Sequence, residues 1–352
     1  MALVALLVLA RLVFFAGPYR PVEPLPATPI VDVHCHVAGL GGGGSGCFVS
    51  PALRENWRFG FYLRAFGVHR AEVERVGDDL LPARLAARLA ESRHVQQAVL
   101  LALDGVVDAA GRLDTNRTEL YVPNEFVAAA CRRHTNLLFG ASINPYRHDA
   151  LARLDWAATN GAVLVKWLPS IQHIDPSDPR LEPFYRHLVA LRLPLLTHTG
   201  AEKSFTQSAD EFADPMRLEL PLKLGVTVIA AHVATTGEHA GERDIDRLAR
   251  LMGAHPNLWA DLSSLTQLNK LGYLGEGLRR PEFAGRLLYG SDFPLINMPL
   301  VSPWYFPRQL RLAEMQRLAR LPNPWDRDVA LKQALGVPAE VFARTAVLLR
   351  RP

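Results

Sequence analysis

The sequence predicts an α/β fold, a single (β/α)₈ TIM barrel, on three observations. Eight short apolar runs recur along it, helical patterns separate them, and ionisable residues stand at the carboxyl ends of the runs. The runs are Pro29–His36, Val95–Leu103, Leu137–Asn144, Ala162–Leu168, Leu193–His198, Val226–His232, Leu258–Leu262 and Leu287–Asp292. Each is nearly all apolar, as a strand buried on both faces must be. The intervening segments include helical patterns over Asn124–His134, Leu181–Arg192, Pro215–Leu224 and Glu242–Ala254. No G-x-G-x-x-G follows the first run, which counts against a dinucleotide-binding sheet.

The chain divides into an apolar segment and linker over residues 1–24 and one barrel domain over residues 25–352. Its 352 residues suit one large barrel, and 49% hydrophobic with 21% charged residues supplies an ordinary globular core. The net charge of +4 is dispersed, without a basic block or zinc-finger spacing, so nucleic acid is excluded as a partner. Three cysteines, Cys35, Cys47 and Cys131, are too few and odd in number for a disulfide framework. The first 17 residues are apolar except for Arg11, and a Pro-rich stretch from Pro18 to Pro29 follows as a stiff linker. A bilayer span needs about 20 apolar residues. The segment therefore reads either as a membrane anchor or uncleaved signal, or as a helix packed on the barrel. Localisation is accordingly membrane-associated or cytoplasmic.

His34, His36, Lys166, His198, His232 and Asp292 each sit at or near the carboxyl end of a predicted strand. In a barrel those ends converge on one face, where an active site is built. His34 and His36 lie two residues apart on a strand, so both imidazoles reach the same face and one metal ion. By the same alternation Asp32 shares their side and is placed to orient a ligand. Taken alone, a strand-end histidine is a structural residue and Asp292 an N-cap; six such residues on neighbouring strands are not explained that way.

Asp32-Val33-His34-Cys35-His36, Leu195-Leu196-Thr197-His198-Thr199-Gly200, Ala231-His232 and Tyr289-Gly290-Ser291-Asp292-Phe293-Pro294 resemble the amidohydrolase superfamily. The order His-x-His, Lys, His, His, Asp matches its pattern from about Pro29 to Pro299. The likeness is greatest to the amidohydrolase-related branch, which holds metal hydrolases and decarboxylases similar to aminocarboxymuconate-semialdehyde decarboxylase. The resemblance implies a divalent metal, one ion or two, held by His34, His36, Lys166, His198, His232 and Asp292. Zinc suits such ligands, with manganese and iron as alternatives. Lys166 is implied to be carboxylated where two ions are bridged. Asp292 and His232 are implied to be the catalytic proton-transfer groups. The implied reaction is hydrolysis of an amide, ester or lactone in a small-molecule substrate; decarboxylation of an unsaturated or aromatic acid is the alternative. A membrane-associated binding protein that has lost catalysis is the reading of a different class. A homodimer is the default expectation.

Other residues are set aside. The glycine-rich run Gly39–Gly46 lacks a Gly-Lys-Ser/Thr ending and reads as a mobile active-site loop. Cys35 alternates into the core, whereas Cys47 is expected at the surface. Lys203, Arg217 and His173 follow predicted strands five and four and are candidates to meet an acidic substrate. Trp167 and Trp304 are expected to pack against helices.

Overall fold

The computed structural model describes residues 3–6, 9 and 22–349. Eight strands form one parallel sheet in chain order. They are β1 (Ile30–His36), β2 (Val95–Leu101), β3 (Leu137–Ala141), β4 (Leu164–Trp167), β5 (Leu195–Thr197), β6 (Val228–Ala230), β7 (Leu258–Asp261) and β8 (Leu287–Leu288). Each lies within its predicted run. The barrel closes where the chain beyond β8 pairs with β1: Val33 N–H donates to Tyr289 O at 3.2 Å, Asp292 N–H to His34 O at 2.9 Å and His36 N–H to Phe293 O at 2.8 Å.

Helices cover the outside because their apolar residues recur at helical spacing. In α1 (Leu80–Ala90), Leu81, Leu85 and Leu89 face the sheet; α2 is Asn124–Arg133 and α3 Ala150–Thr159. The expected helix over Leu181–Arg192 is α4 (Glu182–Ala190). The one expected over Pro215–Leu224 is a 3₁₀ turn, Pro215–Leu218, capped by Asp214, that runs into the short α5 (Glu219–Lys223). In α6 (Asp244–Ala254), Ile245, Leu248, Ala249 and Met252 are buried. Two carboxyl-terminal helices, α7 (Pro324–Ala334) and α8 (Ala339–Leu348), complete the wall. Asn323 starts α7 by accepting from the Trp325 and Asp326 amides, with Pro324 in the first turn where no donor is lost.

The lumen is an apolar plug of Val31, Val33, Val99, Leu101, Leu164, Leu196, Ile229 and Leu288. Strand β1 departs from strict alternation. Asp32 pairs with Ala98 and Cys35 with Leu100, so three steps on β1 oppose two on β2. This bulge turns Asp32 outward and His34 inward. Asp32 thus braces the seam instead of sharing the side of the two histidines. It accepts from His34 N–H at 3.0 Å, Ser291 N–H at 2.9 Å and Trp325 Nε1–H at 2.9 Å. Burial pushes its carboxyl up to about 6 against those donors.

Among the described residues no helix is long and apolar enough to cross a membrane. Residues 3–6 are helical, and Leu3, Val4, Leu6 and Leu9 are exposed. The remainder of the 1–17 segment, on which the anchor, signal and packed-helix readings rest, lies outside the described residues.

Candidate active site

At the carboxyl end of the barrel, His34 and His36 point their Nε2 atoms at each other, 3.1 Å apart. The Asp292 carboxylate completes the group, with Oδ1 3.3 Å from His36 Nε2 and 3.8 Å from His34 Nε2. Asp292 reaches this position because its backbone turns left-handed, φ 62°, directly after the seam. It caps no helix.

Beneath them, Asp261 at the end of β7 lies 2.9 Å from His34 Nδ1. Burial alone would raise its carboxyl, but the His34 ring, the His232 ring and the Ser263 hydroxyl hold it well below the ordinary carboxylate range. An ionised Asp261 only accepts, so His34 Nδ1 carries the hydrogen and its Nε2 lone pair faces the centre. Asp261 also accepts from the amides of His232 and Ser263, both at 3.0 Å. One carboxylate thereby orients two histidines.

His232 follows β6 in a left-handed turn, φ 60°, that continues through Val233 and Ala234. Its Nδ1 faces Ser263 O at 3.2 Å, Ser263 Oγ at 2.8 Å and Ser264 Oγ at 3.1 Å. Donation to the Ser263 carbonyl leaves Nε2 unprotonated on the opposite edge. The ring stacks on His34 at 4.9 Å and meets His198 edge-on at 5.2 Å. His198 Nε2 is buried without a hydrogen-bond partner among the described residues; its nearest carboxylate oxygen is Glu202 Oε2, 3.7 Å away. Lys166 rises from β4 to place Nζ 3.2 Å from His34 Nε2.

The six predicted residues thus share one site without forming one tight set. His34, His36 and Asp292 converge within metal-bridging range, and His34, His232 and Asp261 form a second such group; His198 and Lys166 stand beside them. The protonation states suit a cation. Burial pushes His34 down to about 4 and also lowers His198 and His232, leaving neutral imidazoles. Burial would raise Asp292, but His232, His36 and His34 hold it well below its usual range. Neutral imidazoles, an ionised carboxylate and an orphaned buried His198 nitrogen are what a divalent ion requires.

A family model described as Amidohydrolase matches residues 31–324. The chain belongs to the amidohydrolase family. Among solved structures, an uncharacterised TIM-barrel protein from Bordetella bronchiseptica is 16% identical with a TM-score of 0.52, over 87% of this chain and 99% of that one. That likeness bears on the fold. A 5-carboxyvanillate decarboxylase from Novosphingobium aromaticivorans with bound manganese is 12% identical, TM-score 0.44, over 90% and 97% of the two chains. A dihydroorotase from Campylobacter jejuni is 13% identical, TM-score 0.43, over 91% and 84%. No curated protein matches the chain.

In this amidohydrolase the site floors a cavity of about 190 Å³. Leu53, Phe59, Tyr62 and Phe66, from the segment after β1, build its apolar wall, joined by Phe205 and Leu295. The glycine run expected to cover it does not line it. Asp78 holds that run instead, accepting from Leu40 N–H at 2.7 Å, Gly41 N–H at 2.9 Å and Ser45 Oγ–H at 2.5 Å. Cys47, expected at the surface, is buried beside this loop, and burial pushes its thiol up to about 12. Cys35 is in the core, and all three cysteines are free.

Of the outlying candidates only Lys203 lines the cavity. Arg217 pairs with Asp175 at 2.8 Å, and His173 lies 3.4 Å from Arg117. Trp167 is packed against Phe184 and Tyr185, as expected, whereas Trp304 is exposed. Asp261 was readable and was missed. It is the one charged residue inside the run Leu258–Leu262, at a strand's carboxyl end, the same signal that marks the other six.

Proposed function

We propose that this amidohydrolase is a metal-dependent hydrolase that cleaves an amide, ester or lactone bond in a small molecule, its catalytic domain spanning residues 25–352. The observation that carries the reading is the convergence of His34 Nε2, His36 Nε2 and the Asp292 carboxylate at one end of a largely apolar cavity. In this reading His34, His36, His198 and Asp292 hold a divalent ion, zinc being the one that imidazole and carboxylate ligands suit well. Bound there, the ion would supply Lewis acidity, polarising a carbonyl and bringing the pKa of a water to about 7.

The chain's own groups move the protons. Asp292, ionised and lining the cavity, accepts a proton from the attacking water at a carboxylate oxygen and returns it to the leaving group. His232, fixed through Nδ1, presents Nε2 as a second proton-handling group. Asp261 keeps the His34 lone pair turned to the centre. Burial pushes Lys166 down to about 8. The lowered pKa favours the neutral amine, which adds carbon dioxide with loss of a proton to become a carbamate, and the carbamate suits a two-ion site with His232.

The test is metal content per chain on protein purified without chelators, paired with product analysis against lactone, ester and amide libraries. At least one divalent ion per chain is expected, lost together with hydrolysis in Asp292→Asn, activity falling by about 10³-fold or more. Turnover that releases carbon dioxide without addition of water would replace hydrolysis by decarboxylation. Protein that neither retains a metal ion nor loses activity to a chelator would overturn the metal reading itself.

A further inference from the structure

The loop that follows β5 supplies Ala201, Glu202, Lys203, Ser204 and Phe205 to the cavity, and the segment after β6 supplies Thr236. Backbone bonds fasten the start of that loop: Ala201 N–H donates to Thr236 O at 2.6 Å and Gly200 N–H to Ala213 O at 3.0 Å. Beyond Thr236 the chain makes a tight hairpin, Glu238–His239 against Glu242–Arg243. Its two turn residues, Ala240 and Gly241, both have positive φ, 53° and 75°, as a two-residue hairpin turn requires. The hairpin carries His239 to the other arm of the loop.

There His239 faces an acceptor with each ring nitrogen. Nδ1 lies 2.6 Å from Asp244 Oδ1, at the start of α6, and Nε2 lies 3.1 Å from the backbone oxygen of Asp210. A carbonyl and an ionised carboxylate only accept, and a neutral imidazole has one N–H, so both bonds exist together only in the imidazolium. Asp244 needs that charge. It is fully buried, its Oδ2 has no hydrogen-bond partner among the described residues, and that oxygen packs on Gly237, where any side chain would collide with it. A buried carboxylate deprived of its cation is strongly destabilising. Asp210 is gripped from its other side as well, its Oδ1 accepting from Glu202 N–H at 3.2 Å.

The other charges around His239 are matched elsewhere. Arg247 holds both Asp214 oxygens, at 2.9 and 2.8 Å, and reaches Glu242 at 3.3 Å; Arg250 reaches Glu242 at 2.5 Å, and Glu238 is exposed. His239, Asp214 and Asp244 lie within metal-bridging range of one another. With Arg247 on both Asp214 oxygens and no lone pair left on a doubly protonated ring, the group binds a proton and not a metal ion. Burial works to lower the His239 pKa, and the bond to Asp244 outweighs it and raises the ring above its ordinary 6.5.

We infer that His239 is a positioning residue, its imidazolium a clasp between Asp244 and Asp210 that holds residues 200–214 in place as one wall of the cavity and releases them when the proton leaves. Neutral His239 keeps its one hydrogen on Nδ1 for the Asp244 carboxylate, and Nε2 then turns a lone pair toward the Asp210 oxygen, which repels it. Because the folded-state pKa is raised, the clasp is complete below about pH 6.5 and is lost as pH rises through the folded value. Release would loosen Glu202, whose carboxylate stands 3.7 Å from His198 Nε2. That the loop bears on turnover rests on the active-site assignment above. Its fastening does not, and the fastening is what the test reads.

The test is amide hydrogen exchange of residues 200–214 in the full-length protein between about pH 5.5 and 9, corrected for the intrinsic pH dependence of exchange, with the His239 ring titrated by NMR in parallel. The expected result is a His239 pKa above 6.5 and protection of these amides that falls about tenfold or more as the ring loses its proton, the worth of a hydrogen bond to a charged group. His239→Gln, which cannot titrate, should show the low protection at every pH with metal content unchanged. Asp244→Asn should return the His239 pKa to 6.5 or below and carry the fall in protection down with it. Wild-type protection that stays flat through the His239 titration would overturn the clasp, as would a fall that persists in His239→Gln. A His239 signal that shifts on addition of zinc alone and returns with a chelator would make the cluster a metal site and overturn it too. None of these readouts needs turnover, so the clasp and the hydrolase reading fail separately. Should His239→Gln fail to fold, as read by circular dichroism, the wild-type profile and Asp244→Asn decide the same question.

Discussion

In the lumen, Val31, Val99, Leu101, Leu164, Leu196 and Ile229 obey simple alternation, inward at every second position and packed into a dry plug. A few residues further along the same strands, at the mouth, alternation gives out. His34 faces inward because β1 bulges, and His232 and Asp292 sit in left-handed backbone that L-residues ordinarily avoid. The lumen maximises contact among groups that need no particular orientation. The mouth fixes the direction of a few polar groups, and bulges and left-handed turns aim them. Packing and the proposed chemistry therefore fall to adjoining layers of one barrel under different backbone rules.

The comparison breaks if a lumen residue proves to govern the site. Leu101 is fully buried in the plug on β2, a strand that bears none of the proposed ligands. Leu101→Ala removes that packing and leaves a cavity, at an expected cost of about 2–5 kcal/mol in unfolding free energy. Metal bound per folded chain should not change. Denaturant unfolding and metal analysis on the same preparation check both halves. A variant of wild-type stability that has lost metal would mean the two layers are not separable.

A smaller effect, and the converse pattern, is expected of Asp261→Asn. The amide keeps the size and the Oδ1 acceptor but removes the charge that fixes the His34 tautomer. Partners of this kind are worth about 10–100-fold in metal affinity. Competitive chelator titration should find a loss in that range, with His34, His36 and Asp292 all intact. Affinity equal to wild type would show that the bulge alone aims His34.

How far each layer was legible follows from the same difference. Every strand of the plug falls within its predicted run because burial on both faces writes a continuous apolar signature. The candidate residues His34, His36, Lys166, His198, His232 and Asp292, which the fold brings together at the mouth, stood out because an ionisable group ending such a run is conspicuous. Their mutual geometry was not. Asp32 was assigned to the histidines' side by counting in twos, and one inserted residue on β1 put it on the other side. Gln267 and Lys270, which also line the cavity, had no signature, since a segment without periodicity does not reveal which side chains turn inward. The glycine run was read as mobile from composition, and Asp78, distant in sequence, holds it.

The smallest expected effect sharpens the contrast by moving to the opposite end of the barrel. Arg192, just past α4, has φ 52°; its amide donates to Val189 O at 3.1 Å and the Leu193 amide to Leu188 O at 3.0 Å. This is the helix-ending turn that glycine occupies most easily, and the Arg192 side chain is exposed. Arg192→Gly should relieve the clash of Cβ with the backbone, worth about 1–2 kcal/mol, and lose about 0.4–1 kcal/mol to the freer unfolded chain. A net stabilisation of about 0.5–1 kcal/mol is expected, read from the denaturation midpoint at unchanged slope. The same exchange at His232 or Asp292 would relax comparable backbone while deleting the side chain that the turn presents. If Arg192→Gly destabilises the protein, positive φ at the mouth loses its standing as a tolerated cost of aiming those groups, because relief was not available even where no side chain was needed.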